Sequence, residues 1–553
     1  MKRFKGLFNN SIFCSFFLCI LFVAVMYFAL SHKVNYHIDE IFTYGKANYP
    51  SPLSLQKIQH TGWVFVPIDD GKIYTPGGKA LMDYVVVQPQ HRFDYANVWV
   101  NEARAVHPPF HSALVHTIAS FFPREFSLWF AASVNVLFAV LTLLVLRFLC
   151  RCYVQDERMV NIISITFAFS GGILSAVTFL RMYIMAMFWV TLLTYCFVKE
   201  VREGAGKSEF FLKVFAITVC GAMTHYYCIV YAALISTMYG IWLLFRHRYR
   251  EVFLFCGVMA AAGIVSYLIF PAMLQHIISG PRGREVMGNA VNLSDFFSRL
   301  KAFSRIINRQ LFGSLGYIFV LGVIILCSSF IDDYYRTCNS DNQTRVSNLI
   351  HIIHQNLSVH YVLLIIPTVI FFIIVSKITV YWTDRYIFPI YCNIVLMTCL
   401  LVIRVFKLIS VSKLCQIFLV CITLCIITVK SWFTVGWPYL YLDSKVFLER
   451  SSKLSNVDAV CLYQDDWCKC TVFKESQFYK SIQFCNYKNN RVKQDSYKWI
   501  RNMKPEKLVV ILLQPPGKHE IYLNDILKHS GTLNRYQKLG SFFFGFGTSY
   551  LLL

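Results

Sequence analysis

The sequence predicts an α-helical polytopic membrane protein with about eleven transmembrane helices, a large first extracytoplasmic loop and a small C-terminal α/β extracytoplasmic domain. Of the 553 residues, 56% are hydrophobic and only 15% are charged, whereas soluble proteins average about 25% charged residues. Apolar runs of the length needed to cross a bilayer, about 20 residues, recur along most of the chain. After residue 436 charges become frequent, and short β-like runs appear at Ala459–Tyr463 and Lys507–Leu513.

The topology follows from the basic residues, which collect in cytoplasmic loops. Lys2, Arg3 and Lys5 keep the N-terminus cytoplasmic, so a first span at 11–30 places residues 31–125 outside. The stretch Phe110–Phe122 has 13 residues and is too short to cross. The remaining spans are expected at 126–147, 159–178, 184–198, 212–225, 228–245, 252–273, 311–330, 360–377, 386–403 and 414–431. The tail from about 437 then ends outside.

The net charge of +23 is explained by this insertion rule and by attraction to anionic membrane lipids, so no nucleic-acid partner is expected. One expected outer loop, 274–310, is basic and carries Arg282 and Arg284, although the rule places basic loops in the cytoplasm. Either the topology is wrong at this loop, or the loop lies outside because it binds phosphate. The regular alternation on both sides favours the second interpretation.

The chain is expected to divide into a membrane domain, residues 1–436, and a small soluble α/β domain, residues 437–553. The first outer loop, 31–125, is assigned to the membrane domain together with juxtamembrane helices. Neither Asp69-Asp70 nor Gly77-Gly78 of this loop has an evident role. Four tail cysteines are spaced like possible disulfide or metal partners: Cys461, Cys468, Cys470 and Cys485.

Paired carboxylates directly after the first span are the main catalytic candidates. Charged groups near lipid are costly and are usually functional. A carboxylate of Asp39 or Glu40 can take a proton from an acceptor hydroxyl, and it can also help to bind a divalent cation. The alternative is a solvated pair that merely follows the first helix.

Glu102 and His107 form a second group of candidates, because Pro108-Pro109 fixes a turn that aims both toward the membrane. His107 and His111 share a helical face, which allows a zinc site, although interfacial histidines more often act as hydrogen-bonding groups. A third group combines arginine or histidine, which can bind phosphate, with tyrosine, which can anchor an interface. Its members are Arg181, Tyr183, His225, Tyr226, Arg385 and Tyr386.

In this order along residues 10–405, these motifs resemble the C-type membrane glycosyltransferases. The closest branch is the protein O-mannosyltransferase-like group, which includes the bacterial lipid A aminoarabinose transferases. The resemblance implies a polyprenyl-phosphate-linked monosaccharide donor and an inverting single displacement at the outer membrane face. It implies Asp39 as general base, Glu40 as its support or as a metal ligand, and Arg385 with the 274–310 loop as phosphate-binding groups.

Other functions remain open from the sequence. A transporter or flippase of lipid-linked sugars would also have a cavity lined by basic and aromatic residues. A scaffold protein of cell-envelope assembly with a vestigial site is a third possibility. The acceptor, whether lipid, glycan or protein, is not identified. Short cytoplasmic loops, together with the lack of an evident organelle address, favour a bacterial plasma membrane. No phosphate-binding glycine loop and no serine nucleophile elbow is found in the sequence.

Overall fold

The structure is a computed structural model that describes residues 11–50, 66–204, 207–340, 359–513, 519–542 and 546–553. Helices form most of this described chain. They are α1 Ser11–Ser31, α2 Ile38–Asn48, α3 Lys79–Val85, α4 Tyr95–Arg104, α5 Phe110–Ala119, α6 Leu128–Arg151, α7 Glu157–Ala168, α8 Gly171–Thr178, α9 Tyr183–Glu203, α10 Lys207–Thr224, α11 Tyr226–Phe245, α12 Tyr249–Ile269, α13 Ala272–Ile278, α14 Pro281–Val291, α15 Phe296–Gln310, α16 Gly316–Ser340, α17 Val359–Ile378, α18 Tyr391–Lys407, α19 Lys413–Val435, α20 Lys445–Ser451, α21 Phe473–Ser476, α22 Asn490–Met503 and α23 His519–Ser530.

The polytopic membrane fold is confirmed. Among the described residues, eight helices are long and apolar enough to cross a membrane, or nine if α7 and α8, bent by 49° at their junction, form one span. The count of eleven stays a prediction, because α10 does not meet these criteria and only Gly316–Ser328 of α16 is apolar. Helix α5 has 10 residues, too few for a span.

By their internal contacts the residues form two compact units. The first, here called the helical unit, comprises Met1–Phe28, Ser133–Val177 and Met182–Gly436. The second, here called the mixed unit, comprises Ala29–Ala132, Thr178–Arg181 and Trp437–Leu553. The first outer loop thus belongs to the same compact unit as the tail. The expected domain boundaries, 1–436 and 437–553, stay a prediction.

A buried polar cluster joins four helices of the helical unit. The side-chain amide of Asn393 in α18 donates to Tyr231 Oη of α11 at 2.9 Å, to Thr368 Oγ1 of α17 at 3.2 Å and to Thr194 Oγ1 of α9 at 3.3 Å. Hydrogen bonds between helices satisfy polar groups that lipid would leave unpaired. The cluster fixes α9, α11 and α18 next to one another, and candidate residues lie at or near the N-terminal end of each.

The mixed unit contains a six-stranded sheet with the order β1-β3-β2-β4-β6-β5. Its strands are β1 Ile73–Tyr74, β2 Asp458–Tyr463, β3 Ser481–Asn486, β4 Leu508–Leu513, β5 Tyr536–Phe542 and β6 Gly547–Leu552. The central strands β3, β2 and β4 are parallel, and helix α22 lies between β3 and β4 in the chain. Buried residues of α22, α23 and the sheet share one apolar core. The expected small α/β fold of the tail is therefore present.

Strand β1 comes from the first outer loop and explains the unplaced residues there. It pairs antiparallel with β3, Ile73 opposite Gln483. Asp70 accepts hydrogen bonds from the main-chain N of Asn486 at 2.7 Å and from Tyr463 Oη at 3.2 Å. A Cβ atom at Gly77 would lie 2.8 Å from the carbonyl oxygen of Ser476, so this close approach requires glycine.

The four tail cysteines are buried free thiols. Burial raises the pKa of Cys468 to about 12 and the pKa of Cys485 to about 11. A protonated, buried thiol behaves as a small apolar side chain. Cys461 and Cys485 lie in β2 and β3, whereas Cys468 and Cys470 lie in the 3₁₀ helix Asp466–Val472; pairing in a disulfide or metal site stays a prediction.

Candidate active site

The paired carboxylates lie in the first turn of α2. His37 is the N-cap: its Nδ1 accepts from the main-chain N of Asp39 at 3.0 Å, while Glu40 accepts from the main-chain N of His37 at 2.7 Å. This reciprocal arrangement satisfies main-chain donors that a helix start leaves open. Consecutive residues of a helix point about 100° apart, so Asp39 and Glu40 face different surroundings.

Glu40 is fully buried inside the mixed unit. Besides His37 N, it accepts from Lys33 Nζ at 2.9 Å and from the main-chain N of Leu180 at 2.7 Å. Burial raises the pKa of Glu40 and lowers the pKa of Lys33, and their ion pair opposes both shifts. Glu40 fixes the start of α2 to Lys33 and to the turn at Leu180. Its expected catalytic role stays untested, and its burial argues against contact with an acceptor.

Asp39 is the accessible member of the pair. Its side chain is 26% exposed, and Oδ2 lies 3.6 Å from His37 Nδ1. Its main-chain carbonyl accepts from Arg181 Nη1 and from Thr43 Oγ1, both at 3.0 Å. Because Arg181 is itself buried and also donates to Thr43 Oγ1 at 2.8 Å, the backbone that carries Asp39 is held in place.

Glu102 belongs to the same cluster of charges. It accepts from Lys46 Nζ at 2.7 Å and from the Ser112 hydroxyl, and all three residues are buried. Burial lowers the pKa of Lys46; Glu102 and Asp39 raise it, and Arg181 lowers it. Asp39, Glu102 and Arg181 therefore all act electrostatically on Lys46 within the mixed unit.

The histidines after Glu102 take separate positions. His107 lies partly exposed in the bend between α4 and α5. His116 is buried, its Nδ1 lies 3.3 Å from Asn48 Oδ1, and burial lowers its pKa. His116 thus acts as a hydrogen-bonding group.

The carboxylates do not fit a metal site. In the described ranges, no three side chains of His, Cys, Asp or Glu converge as ligands. The Glu40 oxygens face Lys33 and two main-chain N–H groups, which occupy them with hydrogen-bond donors. Metal dependence stays an untested expectation, and no chemical step is assigned to a cation.

All members of the third group of candidates except Arg181, which belongs to the mixed unit, lie in the helical unit. The Tyr183 ring lies 5.3 Å from the ring of His225, the N-cap of α11, and 6.5 Å from the ring of Tyr386. Tyr226 pairs its hydroxyl with His276 Nδ1 at 2.6 Å. Aromatic side chains from the starts of α9 and α11 and from the turn Asp384–Tyr386 therefore pack against one another.

Two of the expected phosphate-binding arginines share one tyrosine. The guanidinium carbon of Arg282 lies 5.0 Å from the centre of the Tyr381 ring, and that of Arg385 lies 5.8 Å from it. Arg282 also donates to Tyr381 Oη at 3.0 Å and to Glu285 at 2.6 Å. Arg284 is exposed on α14. The two guanidinium groups therefore lie over one aromatic ring.

Three residues that contact the candidate residues were not expected from the sequence: Thr43, Lys46 and Tyr381. For the first two a signal exists, because positions 39, 43 and 46 follow the i, i+4, i+7 spacing of one helix face. For Tyr381 only its closeness to Arg385 along the chain was available, and its pairing with Arg282 depends on the packing of α14.

The described chain has membrane-spanning helices and a mixed unit built from the first loop and the tail, and its fold is similar to that of solved ArnT structures. Among the similar solved structures are two of ArnT, a lipid A aminoarabinose transferase, from Cupriavidus metallidurans. The one bound to undecaprenyl phosphate has a TM-score of 0.51 at 9% identity and covers 96% of this chain and 97% of its own. The apo structure has a TM-score of 0.52 at 11% identity, with the same coverage.

No family model and no curated protein matches the sequence. At these identities the comparison shows the fold, and it confirms the resemblance that the ordered motifs indicated.

Proposed function

We propose that the chain is a membrane glycosyltransferase that moves one monosaccharide from a polyprenyl-phosphate donor to an acceptor of the cell envelope. The observation that carries the proposal is the asymmetric carboxylate pair: Glu40 is fixed inside the protein, and Asp39 is partly exposed on a backbone held by Arg181. The fold shared with ArnT, which binds undecaprenyl phosphate in its solved structure, supports the donor class.

In the proposed step, the Asp39 carboxylate accepts the proton of an acceptor hydroxyl while that oxygen bonds to the anomeric carbon. The bond from this carbon to the donor phosphate oxygen breaks, and polyprenyl phosphate leaves with the electron pair. A positioned general base contributes about 10²–10⁴-fold to such a proton transfer. One displacement inverts the anomeric configuration.

Arg282 and Arg385 are the proposed phosphate-binding groups. A guanidinium binds phosphate oxygens through two parallel hydrogen bonds, and Tyr381 keeps both guanidiniums in one region of the helical unit. Tyr183, His225, Tyr226 and Tyr386 are proposed to line this part of the substrate site, where ring faces and hydroxyls can contact a sugar.

The chain is an integral membrane protein. We place it in a bacterial plasma membrane with the N-terminus cytoplasmic and the tail extracytoplasmic, because the basic residues flanking most expected spans follow the insertion rule.

The test is the release of polyprenyl phosphate from labelled polyprenyl-phosphate sugars by the purified protein with envelope lipids and glycans as acceptors. We expect acceptor-dependent release with at least one sugar, which identifies donor and acceptor together. The Asp39→Asn variant should lose this release, whereas Asp83→Asn, at an exposed aspartate of α3, should retain it. Transport of intact donor across vesicle membranes without release would instead support a flippase.

A further inference from the structure

A chain of hydrogen bonds joins three buried polar side chains of the helical unit. The Tyr391 hydroxyl at the start of α18 donates to Gln310 Oε1 at 2.7 Å, and Gln310 Nε2 donates to Asp384 Oδ2 at 2.6 Å. All three residues are buried. Because one end of the Gln310 amide accepts and the other end donates, its orientation is fixed, and with it the position of the Asp384 carboxylate.

Gln310 is itself held where α15 ends. A Cβ atom added at Gly172 of α8 would lie 3.2 Å from the Gln310 carbonyl oxygen and 3.0 Å from Tyr391 Cε2, so α8 packs tightly on this end. The Arg309 carbonyl accepts from Thr434 Oγ1 of α19 at 2.5 Å. Two neighbouring helices thus fix the end of α15, and the glutamine side chain extends from a rigid support.

Asp384 opens the short 3₁₀ helix Asp384–Tyr386, in which Arg385 is the middle residue. The Asp384 carbonyl accepts from the main-chain N of Ile387 at 3.0 Å, so both the side chain and the backbone of this residue are held. The Arg385 guanidinium carbon lies 5.3 Å from the centre of the Tyr386 ring and 5.8 Å from that of Tyr381. A shift of Asp384 would therefore move the guanidinium relative to these rings.

One segment of the chain, α14 and α15, acts on both arginines that share Tyr381. Helix α14 carries Arg282, and α15 ends at Gln310. Arg299 of α15 donates to the carbonyl of Thr379, directly after α17, at 2.5 Å, and the side chain of Asn289 donates to the same oxygen at 3.0 Å. These bonds pair a carbonyl for which the end of α17 offers no helical partner, and they anchor the segment there. The segment that supplies one guanidinium therefore also holds the turn of the other.

We propose that Gln310 and Asp384 are positioning residues for Arg385: their hydrogen bond holds the 3₁₀ turn so that the guanidinium meets the phosphate of the donor. The inference rests on the proposed function and adds two residues that act through Arg385. An apolar pair of similar volume could pack here without the cost of burying an amide and a carboxylate, so packing alone does not account for the pair.

The experiment is a double-mutant cycle on the dissociation constant of undecaprenyl phosphate in purified protein. Gln310→Met replaces the amide by an apolar group of similar length, alone and together with Arg385→Ala. We expect Gln310→Met alone to weaken binding about fivefold, and to change binding in the Arg385→Ala background by less than about twofold, because residues that act through one another are not additive. Gln416→Met, at a half-exposed glutamine of α19, is the matched control and should bind like wild type.

A milder variant tests the same chain of hydrogen bonds. Tyr391→Phe removes only the hydroxyl that orients the Gln310 amide, and it decides the question alone if Gln310→Met does not fold. We expect it to weaken undecaprenyl phosphate binding about threefold, again only when Arg385 is present.

Equal weakening in the wild-type and Arg385→Ala backgrounds would refute the positioning role, because the effect would not pass through Arg385. Unchanged binding in Gln310→Met and Tyr391→Phe, with a lower melting temperature, would refute it in favour of a purely structural pair. In both cases wild-type protein still releases polyprenyl phosphate, and the proposed function stands. A wild type that neither binds undecaprenyl phosphate nor releases polyprenyl phosphate from any labelled donor would refute both.

Discussion

Arg181 Nη1 donates a hydrogen bond to the main-chain carbonyl oxygen of Asp39 at 3.0 Å. The same nitrogen donates to Thr43 Oγ1 at 2.8 Å, and Thr43 in turn donates to the Asp39 carbonyl. Arg181 was expected to bind substrate; its observed contacts give it a role in positioning Asp39.

The first prediction concerns this positioning. Arg181→Lys should lower kcat about 10- to 100-fold with little change in the donor KM, because one ammonium cannot reproduce the planar guanidinium contacts and a small displacement of a base is costly. Steady-state kinetics and the pH profile of kcat measure this. Arg124→Lys, at an exposed arginine of the mixed unit, is the control. An unchanged kcat with a raised donor KM would return Arg181 to a substrate-binding role.

The second prediction concerns Lys33 and Glu40. Glu40→Gln should destabilise the protein by about 3–5 kcal/mol, because it leaves the buried Lys33 ammonium without its counter-charge. Adding Lys33→Met to Glu40→Gln should restore part of this loss. Thermal unfolding in detergent measures both variants. A double variant no more stable than Glu40→Gln alone would contradict the ion-pair explanation.

The carboxylate pair shows what the sequence could and could not predict. A helix start with two acidic residues was visible as a motif, and the family resemblance singled out Asp39. The sequence could not show that Glu40 is buried, because its partner Leu180 comes from a distant part of the chain. Its other partner, Lys33, lies only seven residues earlier but outside α2. By contrast, the membrane helices could be predicted, because each is marked by an apolar run within its own stretch of sequence.

The pairing of β1 with β3 was missed for the same reason. Two residues, Ile73 and Tyr74, carry no strand pattern of their own. They become a strand only because the edge of β3, about 400 residues later in the chain, is available for pairing. The roles of Asp70 and Gly77 depend on this non-local contact and are not evident from the loop sequence.

The third prediction concerns the arginines that share Tyr381. Arg282→Ala and Arg385→Ala should each weaken undecaprenyl phosphate binding about 10-fold or more, since a hydrogen bond to a charged group contributes about 1.5–3 kcal/mol. The double variant should lose less than the sum, because both act on one anion. Isothermal titration measures the affinities, with Arg246→Ala, at an exposed arginine, as control. Full additivity would indicate two separate sites.

The fourth prediction concerns Glu475 in the mixed unit. Burial raises the pKa of Glu475 to about 7, while the hydrogen bond from Tyr479 opposes the shift. Because the folded state then binds the proton more tightly than the unfolded state, this group stabilises the fold in acid. Its contribution to the free energy of unfolding, about 3 kcal/mol, is lost as pH rises from about 4.5 to about 7.

Glu475→Gln should remove this part of the pH dependence of the unfolding free energy. Glu506→Gln, at an exposed glutamate, should leave that pH dependence unchanged. Denaturant unfolding between pH 4 and 8 measures the difference. Identical pH profiles for Glu475→Gln and wild type would contradict the assignment.

The most direct test of the central claim is the single-turnover rate of sugar transfer from saturating donor in wild-type and Asp39→Asn protein. The account predicts a fall of about 10²–10⁴-fold with an unchanged donor dissociation constant, as expected when only a general base is removed. A rate within twofold of wild type would show that Asp39 does not accept the proton.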